Sequence, residues 1–423
     1  MFVLDDTLRG PAGPVRLAFL YRCLRALDET MDGKLCVRVG DPAELVPQLA
    51  EQVGASSVHI SADYGPYGRE RDEKVEQPLV AAGRRLVRTG SPYAVAPGRI
   101  TKDDGAPYRV YTPFYRAWTE HGVRRPAQGV RSVPWIGADP VGIKTDGIPG
   151  DPDIDGTTLP EAGEKAGQRR LQDFLAGVQG YADNRDLPGR DATSRLSPYL
   201  KYGCLHPRTV LDQLGSSKGA ETVRSEIAWR DFYADVLFHN PGSARWDLTE
   251  ALAGMQYGNG SPETDEQFFE AWTQGRTGYP IVDAGMRQLL AQGWMHNRVR
   301  MITASFLIKD LHLPWQRGAR WFLQRLCDGD LSSNNHGWQW TAGTGTDAAP
   351  YFRIFNPTLQ GSKFDPDGSY VRRWIPELSG VEGKSVHEPW KLRGGIPEGY
   401  PQPIVDHAAE RKDSLARYEA ARR

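Results

Sequence analysis

Cysteine is scarce in this 423-residue chain. Its four cysteines, Cys23, Cys36, Cys204 and Cys327, stand far apart. None forms a CxxC pair, and neither HExxH nor zinc-finger spacing occurs, so a thiol metal site and a disulfide framework are both excluded. The four read as reduced, buried thiols of a cytoplasmic protein. No run of about 18 apolar residues exists, so no membrane helix is expected. The N-terminus shows no basic segment followed by an apolar one, so no export signal is expected either. GxGxxG follows none of the strand signals, which removes support for a Rossmann-type dinucleotide site. Net charge is also missing: 52 basic residues face 53 acidic ones, for a balance of −1. That excludes a surface coated in positive charge. It does not exclude a local basic groove, because phosphate binding depends on where charges sit.

Tryptophan is what the chain has in quantity. There are 12, most of them beyond residue 225, and aromatic residues total 10%. A large aromatic core and a stacking or electron-carrying site both account for this, and composition leaves the two readings open. Hydrophobic residues at 39% and charged ones at 25% fit a globular protein. The length favours two domains.

Strand and helix signals alternate over residues 1–100. Met1–Leu4, Leu35–Val39, Ser57–Ser61 and Arg85–Thr89 read as strands. Pro14–Leu27, Ala43–Val53 (capped by Asp41) and Arg69–Ala82 read as helices, with a loop over Ala62–Gly68. This βαβαβ rhythm predicts a parallel sheet with helices on both faces. Residues 101–165 are rich in Pro, Gly and Asp and read as an inter-domain linker. From residue 166 the pattern is helical through residue 423, with helices expected over Gln168–Gln179, Glu221–Phe238, Glu266–Thr273, Asp283–Leu290, Trp294–Lys309 and Trp315–Leu326. The fold class is therefore an α/β domain followed by a large all-α domain.

Four segments can carry chemistry. In Thr193-Ser194-Arg195-Leu196-Ser197-Pro198, three hydroxyls and a guanidinium precede a helix, with Ser197 as N-cap and Pro198 at the first helical position. Such a terminus favours an anion, and plain capping explains it as well. Glu226 and Trp229 share a helix face and can pair a hydrogen bond with a stacking surface; an amphipathic core helix is the plainer account. Trp294, Asn297, Arg298 and Met301 follow i, i+3, i+4, i+7 spacing. An amide, a cation and a thioether make a poor core face but suit a pocket for a polar aromatic ligand near phosphates. In the run from Asp328 to Trp340, Asn334 is a polar amide needing a partner, and Trp338 lies one turn on. Trp338 and Trp340 are about 200° apart round a helix, so they face different neighbours.

The runs WMHNRVRMITASFL (Trp294–Leu307), DGDLSSNNHGWQWTAGTGTDAAPYFRIFNP (Asp328–Pro357) and TSRLSP (Thr193–Pro198) resemble the photolyase/cryptochrome family, and its class I cyclobutane-dimer photolyases in particular. The likeness extends from about Phe2 to Arg393. It implies FAD folded into a U within the helical domain. Tyr181 and Thr193, Ser194, Arg195, Leu196 and Ser197 would hold its phosphates and ribityl chain. Asp328 and Asp330 would contact the flavin and adenosine parts, and Asn334 would face flavin N5. An amide at that position resembles photolyases more than plant or animal cryptochromes. Glu226, Trp229, Asn297, Met301 and Trp340 would receive a flipped-out pyrimidine dimer, each stacking ring contributing roughly 1–3 kcal/mol. Relatives acting on six-four photoproducts carry histidine where Asn297 stands. The implied reaction is electron transfer driven by light, with Glu226 stabilising the dimer radical anion. Arg185, Arg298, Arg353 and Lys363 are the candidates for phosphate contacts on DNA.

The resemblance also marks departures. Trp338 and Trp315 match the inner members of a photoreduction chain, while Tyr257 stands where many relatives have an outer tryptophan. Relatives begin with a strand of the Trp-Phe-Arg-Arg-Asp-Leu-Arg type that this chain lacks. That strand is central in their sheet, so a hole is expected, together with a misplaced start or a truncation. Phe2, Arg16, Asp63 and Lys201 resemble the positions that bind an 8-hydroxy-5-deazaflavin antenna. A monomer is expected, cytoplasmic and nucleoid-associated when on DNA. The rival readings are a blue-light receptor on the same scaffold and a non-catalytic nucleic-acid-binding module.

Overall fold

The computed structural model describes residues 1–129, 133–138, 142–347 and 353–422. Residues 348–352, inside the Asp328–Pro357 run, lie outside the described residues, as do 130–132 and 139–141 of the expected linker.

Four short strands come first: β1 (Phe2–Leu4), β2 (Val37–Val39), β3 (Ser57–Ile60) and β4 (Arg85–Arg88). β1 pairs in parallel with β2, Phe2 opposite Val37, and β3 in parallel with β4, Ser57 opposite Arg85. Parallel neighbours need a crossover, which the helices Pro14–Thr30 and Pro66–Ala81 supply within the two pairs. The expected parallel pairing is present, but as two separate two-stranded sheets. Each has its own small core: Leu4, Tyr21, Leu24 and Val37 for one, Ala50, Val75, Leu79 and Leu86 for the other. Asp41 caps the Pro42–Gln52 helix as expected, accepting from the Ala43 N–H at 2.8 Å.

The chain forms two compact units with interleaved boundaries. The first holds residues 1–155, 160–176 and 194–241; the second holds 156–159, 177–193 and 242–423. This division differs from one at residues 100 and 165. The second unit is built on one large core that includes Trp272, Val282, Met286, Phe306, Trp315, Phe322 and Trp338. Inside it, the carboxylate of Asp283, fully buried, accepts from Thr277 N and Oγ1 at 2.7 Å each, Gly278 N at 3.0 Å and Tyr400 OH at 2.6 Å. A buried carboxylate met by four donors holds the turn before the Pro280–Gln292 helix in place.

Several expectations are corrected. The 101–165 segment is not plain linker: Tyr111–His121 is a helix that buries Tyr111, Phe114 and Trp118. The helix expected over Trp294–Lys309 starts at Asn297, so Trp294 is off its face; His296 is its cap, its Nδ1 accepting from the Arg298 N–H at 3.2 Å. The helix after the Thr193–Pro198 run is Ser197–Lys201, so Leu196, not Ser197, is the N-cap, and no side chain caps it. The Pro66–Ala81 helix begins inside the expected loop. Cys23, Cys204 and Cys327 are buried free thiols, whereas Cys36 is half-buried. Among the described residues, no helix is long and apolar enough to cross a membrane.

Candidate active site

The Leu331–Ala342 helix carries the densest set of site candidates. Asp330 caps it, accepting from Ser333 N at 3.0 Å and from Ser332 Oγ at 2.6 Å. One edge is tied down by side chains. Asn335 Nδ2 donates to Ala244 O at 2.6 Å, His336 pairs with Ser243 Oγ at 3.0 Å, and Gln339 Nε2 donates to Ser243 O at 2.8 Å. Burial pushes His336 down to about 4, so it is neutral at physiological pH. These bonds fix the helix's rotation, and with it the direction of the edge carrying Asn334 and Gly337. Asn334 is half-buried. Its Nδ2 donates to Ala319 O at 3.1 Å and to Asn335 Oδ1 at 2.8 Å. With the nitrogen so engaged, the amide oxygen is the atom left to accept from a ligand N–H. One turn on, a Cβ built on Gly337 would meet nothing within 4 Å.

A second acceptor stands ready at Asp328, which is buried. Its Oδ2 accepts from Arg300 Nη2 at 2.8 Å, and Arg300 is steadied by its own bond to Met295 O at 2.8 Å. Asp328 Oδ1 is buried with no hydrogen-bond partner. An unmatched buried acceptor is costly, so this atom fits a ligand that brings a donor. Tyr181 is buried, with the Arg185 guanidinium 5.8 Å from its ring centroid. The Thr193–Ser197 run is divided between the units: Thr193 belongs to the second, Ser194 to Ser197 to the first. Arg195 there has φ +50°, uncommon for a side chain with a Cβ. Arg170 Nε holds the segment through Ser194 O at 2.8 Å.

Trp338, Trp315 and Tyr257 share one apolar cluster. Trp338 meets Phe322 edge-on at 5.0 Å and Trp272 at 6.1 Å. Its indole fits because residue 318 is glycine: a Cβ there would lie 2.1 Å from the Trp338 ring. Trp315 Nε1 donates to Asp247 Oδ1 at 2.7 Å. Burial, reinforced by the Asp247 charge, pushes the Tyr257 phenol up to about 12. The phenol is therefore neutral at physiological pH.

Of the residues expected to meet the dimer, Glu226 and Trp229 lie on the Lys218–His239 helix of the first unit. Asn297, Met301 and Trp340 belong to the second unit. Asn297 is exposed at the start of its helix, and Trp340 is half-buried with Nε1 donating to Asp347 O at 3.1 Å. A cavity of about 800 Å³ in the second unit brings together Arg298, Arg353 and Lys363, joined by Arg411 and Lys412 of the His407–Ala421 helix. Those last two were missed by sequence reasoning, which had no motif to attach to them. Arg185 does not line this cavity.

Residues 1–131 match the family model described as DNA photolyase, and residues 223–420 match the FAD binding domain of DNA photolyase. The deoxyribodipyrimidine photo-lyase of Streptomyces griseus is 41% identical, aligned over all of this chain and 92% of its own length. The chain belongs to the DNA photolyase family. Its fold is that of the family too. A bacterial class III photolyase from Agrobacterium tumefaciens superposes with TM-score 0.90 at 37% identity, over 99% of this chain and 91% of that one. An archaeal photolyase from Sulfolobus tokodaii, solved with two FAD molecules, superposes with TM-score 0.81 at 29% identity, over 99% and 92%.

The antenna candidates of this photolyase family member are all in the first unit. Asp63 lines a cavity of about 710 Å³ whose lining does not include Phe2, Arg16 or Lys201. Phe2 packs against the Leu4–Tyr21–Leu24–Val37 core. The Arg16 carbonyl accepts from Tyr202 OH at 3.2 Å. Gly68 leaves room for the Asp63 carboxylate, which a Cβ would meet at 2.0 Å.

Proposed function

We propose that this chain is a class I deoxyribodipyrimidine photo-lyase, which uses blue light to split cyclobutane pyrimidine dimers in DNA. The observation that carries the proposal is Asn334: its amide nitrogen is occupied by two protein acceptors, its oxygen is left to accept, and the helix edge beside it is open at Gly337. That polarity suits the N5–H edge of a reduced flavin. FAD, when bound and reduced, supplies the light-excited one-electron donor.

Every other task falls to the protein. Asp328 Oδ1 offers the buried acceptor for a cofactor N–H. Asp330, Tyr181 and the Thr193–Ser197 run are proposed to hold the remaining polar parts. Trp229 and Trp340 are proposed to stack on the flipped dimer, with Asn297 and Met301 completing its surroundings. A base inside a duplex must leave the stack before an enzyme can act on it, a general requirement that photolyases are known to share. Glu226 would hydrogen-bond a pyrimidine carbonyl and stabilise charge on the dimer while its ring opens. Trp338, Trp315 and Tyr257 are the proposed relay that keeps the cofactor reduced. The proposed setting is a monomer in the cytoplasm, associated with the nucleoid when on DNA. An 8-hydroxy-5-deazaflavin antenna is proposed at Phe2, Arg16, Asp63 and Lys201.

Asn297, where six-four members carry histidine, supports the cyclobutane dimer as substrate. The likeness to a protein described as class III makes that class the second reading, and a tree containing both classes and this chain separates them. The enzymatic test is direct. Reduced, flavin-loaded protein is mixed with a dimer-containing oligonucleotide and illuminated. The dimer should disappear under blue light and persist in the dark; persistence in both overturns the proposal.

A further inference from the structure

Trp229 is not a free-standing platform. Tyr111 lies flat against it, ring centroids 3.6 Å apart and planes within 10°. Phe232 and Tyr233 close on its edges at 5.6 and 5.3 Å. Tyr111 is itself buried and doubly anchored: its hydroxyl donates to Ser225 O at 2.7 Å, with Ser225 Oγ also at 2.7 Å. Ser225 sits one helical turn before Trp229, so Tyr111 grips the same helix face at two points. Behind it a line of rings continues along the Tyr111–His121 helix. Tyr115 stacks on Tyr111 at 5.7 Å and 18°, and Trp118 on Tyr115 at 6.2 Å and 21°. The far end is pinned, since Trp118 Nε1 donates to the buried carboxylate of Asp231 at 3.0 Å. Asp231 in turn accepts from Val95 N at 2.9 Å and Ala94 N at 3.3 Å.

We infer that Tyr111 is a positioning residue for substrate recognition: it covers one face of Trp229, fixes the tilt of the indole, and leaves a single pre-oriented face for the flipped pyrimidine dimer. The inference rests on the reading that Trp229 stacks on the substrate, and it deepens that reading. A platform held in its bound orientation loses little freedom when the substrate arrives. An indole left free to tilt would lose part of its stack on the flipped dimer, while the phosphate contacts that dominate binding of undamaged DNA would be unaffected. Tyr111 thus contributes to discrimination without touching the dimer.

The test uses flavin-loaded protein and four variants. Tyr111→Leu should weaken binding of a dimer-containing oligonucleotide by roughly 10-fold, the scale of one lost stacking contact. Binding of the undamaged oligonucleotide, flavin content and the rate of repair at saturating protein should stay within about two-fold, so the loss falls on affinity and not on turnover. Tyr111→Phe keeps the ring and should recover most of the affinity. Near-ultraviolet circular dichroism of Tyr111→Leu should lose the signal of the coupled Tyr–Trp pair. Should Tyr111→Leu fail to fold, Tyr111→Met carries the same test. Equal weakening of damaged and undamaged DNA, or no weakening, overturns the role given to Tyr111. Trp229→Ala separates the two levels: if it binds the dimer like the parent protein, the reading of Trp229 itself falls.

Discussion

The cavities of the two units hold equal numbers of cationic side chains but differ in what opposes them. In the first unit, Arg69, Arg88, Arg99, Arg124 and Arg208 share the lining with Asp63, Asp72, Glu73 and Glu76. Arg88 is bound to Glu76 at 2.8 Å, and Arg208 Nε is bound to Ala94 O at 2.9 Å. In the second unit, Arg298, Arg353, Lys363, Arg411 and Lys412 face one carboxylate, Asp186. Five against four is close to balance; five against one leaves a net positive lining, the local charge that attracts phosphate. A chain with net charge −1 therefore hides a strongly basic cavity, because compensation happens elsewhere in the molecule. Local opposition, not total charge, decides whether a polyanion is attracted.

The strongest way to break this comparison is to reverse charges in pairs. Arg298→Glu with Arg353→Glu should weaken binding to DNA, damaged or not, by about 100-fold near physiological salt. It should also flatten the dependence of log affinity on log salt by roughly two contacts' worth. Arg99→Glu with Arg124→Glu, in the balanced cavity, should change affinity by no more than about two-fold. Filter binding across a salt series measures both. Equal effects from the two pairs would erase the distinction between the cavities.

Two glycines sharpen the comparison within the second unit, separating its cofactor side from its DNA side. Gly337→Ala places a methyl in open space beside Asn334. In a helix interior it should stabilise the cofactor-free protein by about 0.5–1 kcal/mol. It should nevertheless lower flavin content, because that space is where the ring system is proposed to lie. Gly318→Ala drives a methyl into the Trp338 indole and into Leu307, 2.6 Å away. Such overpacking should cost about 1–3 kcal/mol. Thermal melts with and without added FAD, together with flavin absorbance, give the readout. Retention of full flavin content by Gly337→Ala would remove that edge from the cofactor site. Neither change should alter binding to undamaged DNA by more than about two-fold, since neither touches a phosphate contact.

Long motif runs made Asn334, Trp338 and Trp340 legible, because helix periodicity alone puts the two tryptophans on different sides. The βαβ rhythm and the Asp41 cap were legible for the same local reason. What escaped the sequence was what locality does not encode. The Tyr111–His121 helix has no side-chain cap, starts after Val110 and carries Pro113 in its first turn. It therefore read as part of a proline-rich linker, and Tyr111 was lost with it. The start of the Asn297–Lys309 helix was misplaced because its cap is a histidine ring nitrogen, outside the usual Ser, Thr, Asp and Asn set. Arg411 and Lys412 sit on an ordinary amphipathic helix; only tertiary placement makes them part of a groove.

The finest test concerns Asp186, the one carboxylate among the described residues that line the basic cavity. Asp186 grips Arg298 with both oxygens at 3.0 Å from Nη2, and Nε adds a contact at 3.3 Å. The guanidinium also lies 4.5 Å from the Phe364 ring centroid, so Arg298 is held in one place before any DNA arrives. A phosphate that uses Arg298 must share or replace the carboxylate. Asp186→Asn keeps the shape of the side chain and removes its charge. Because the pair is partly exposed, with 21% and 40% of the side chains accessible, the charge term is small, about 0–1 kcal/mol. Binding to undamaged DNA should thus tighten by about two- to four-fold at low salt, and the gain should fade as the Debye length shrinks toward about 8 Å at physiological ionic strength. Weaker binding by Asp186→Asn would mean that Asp186 serves chiefly to aim Arg298, and that the five-to-one count overstates the opposition between them.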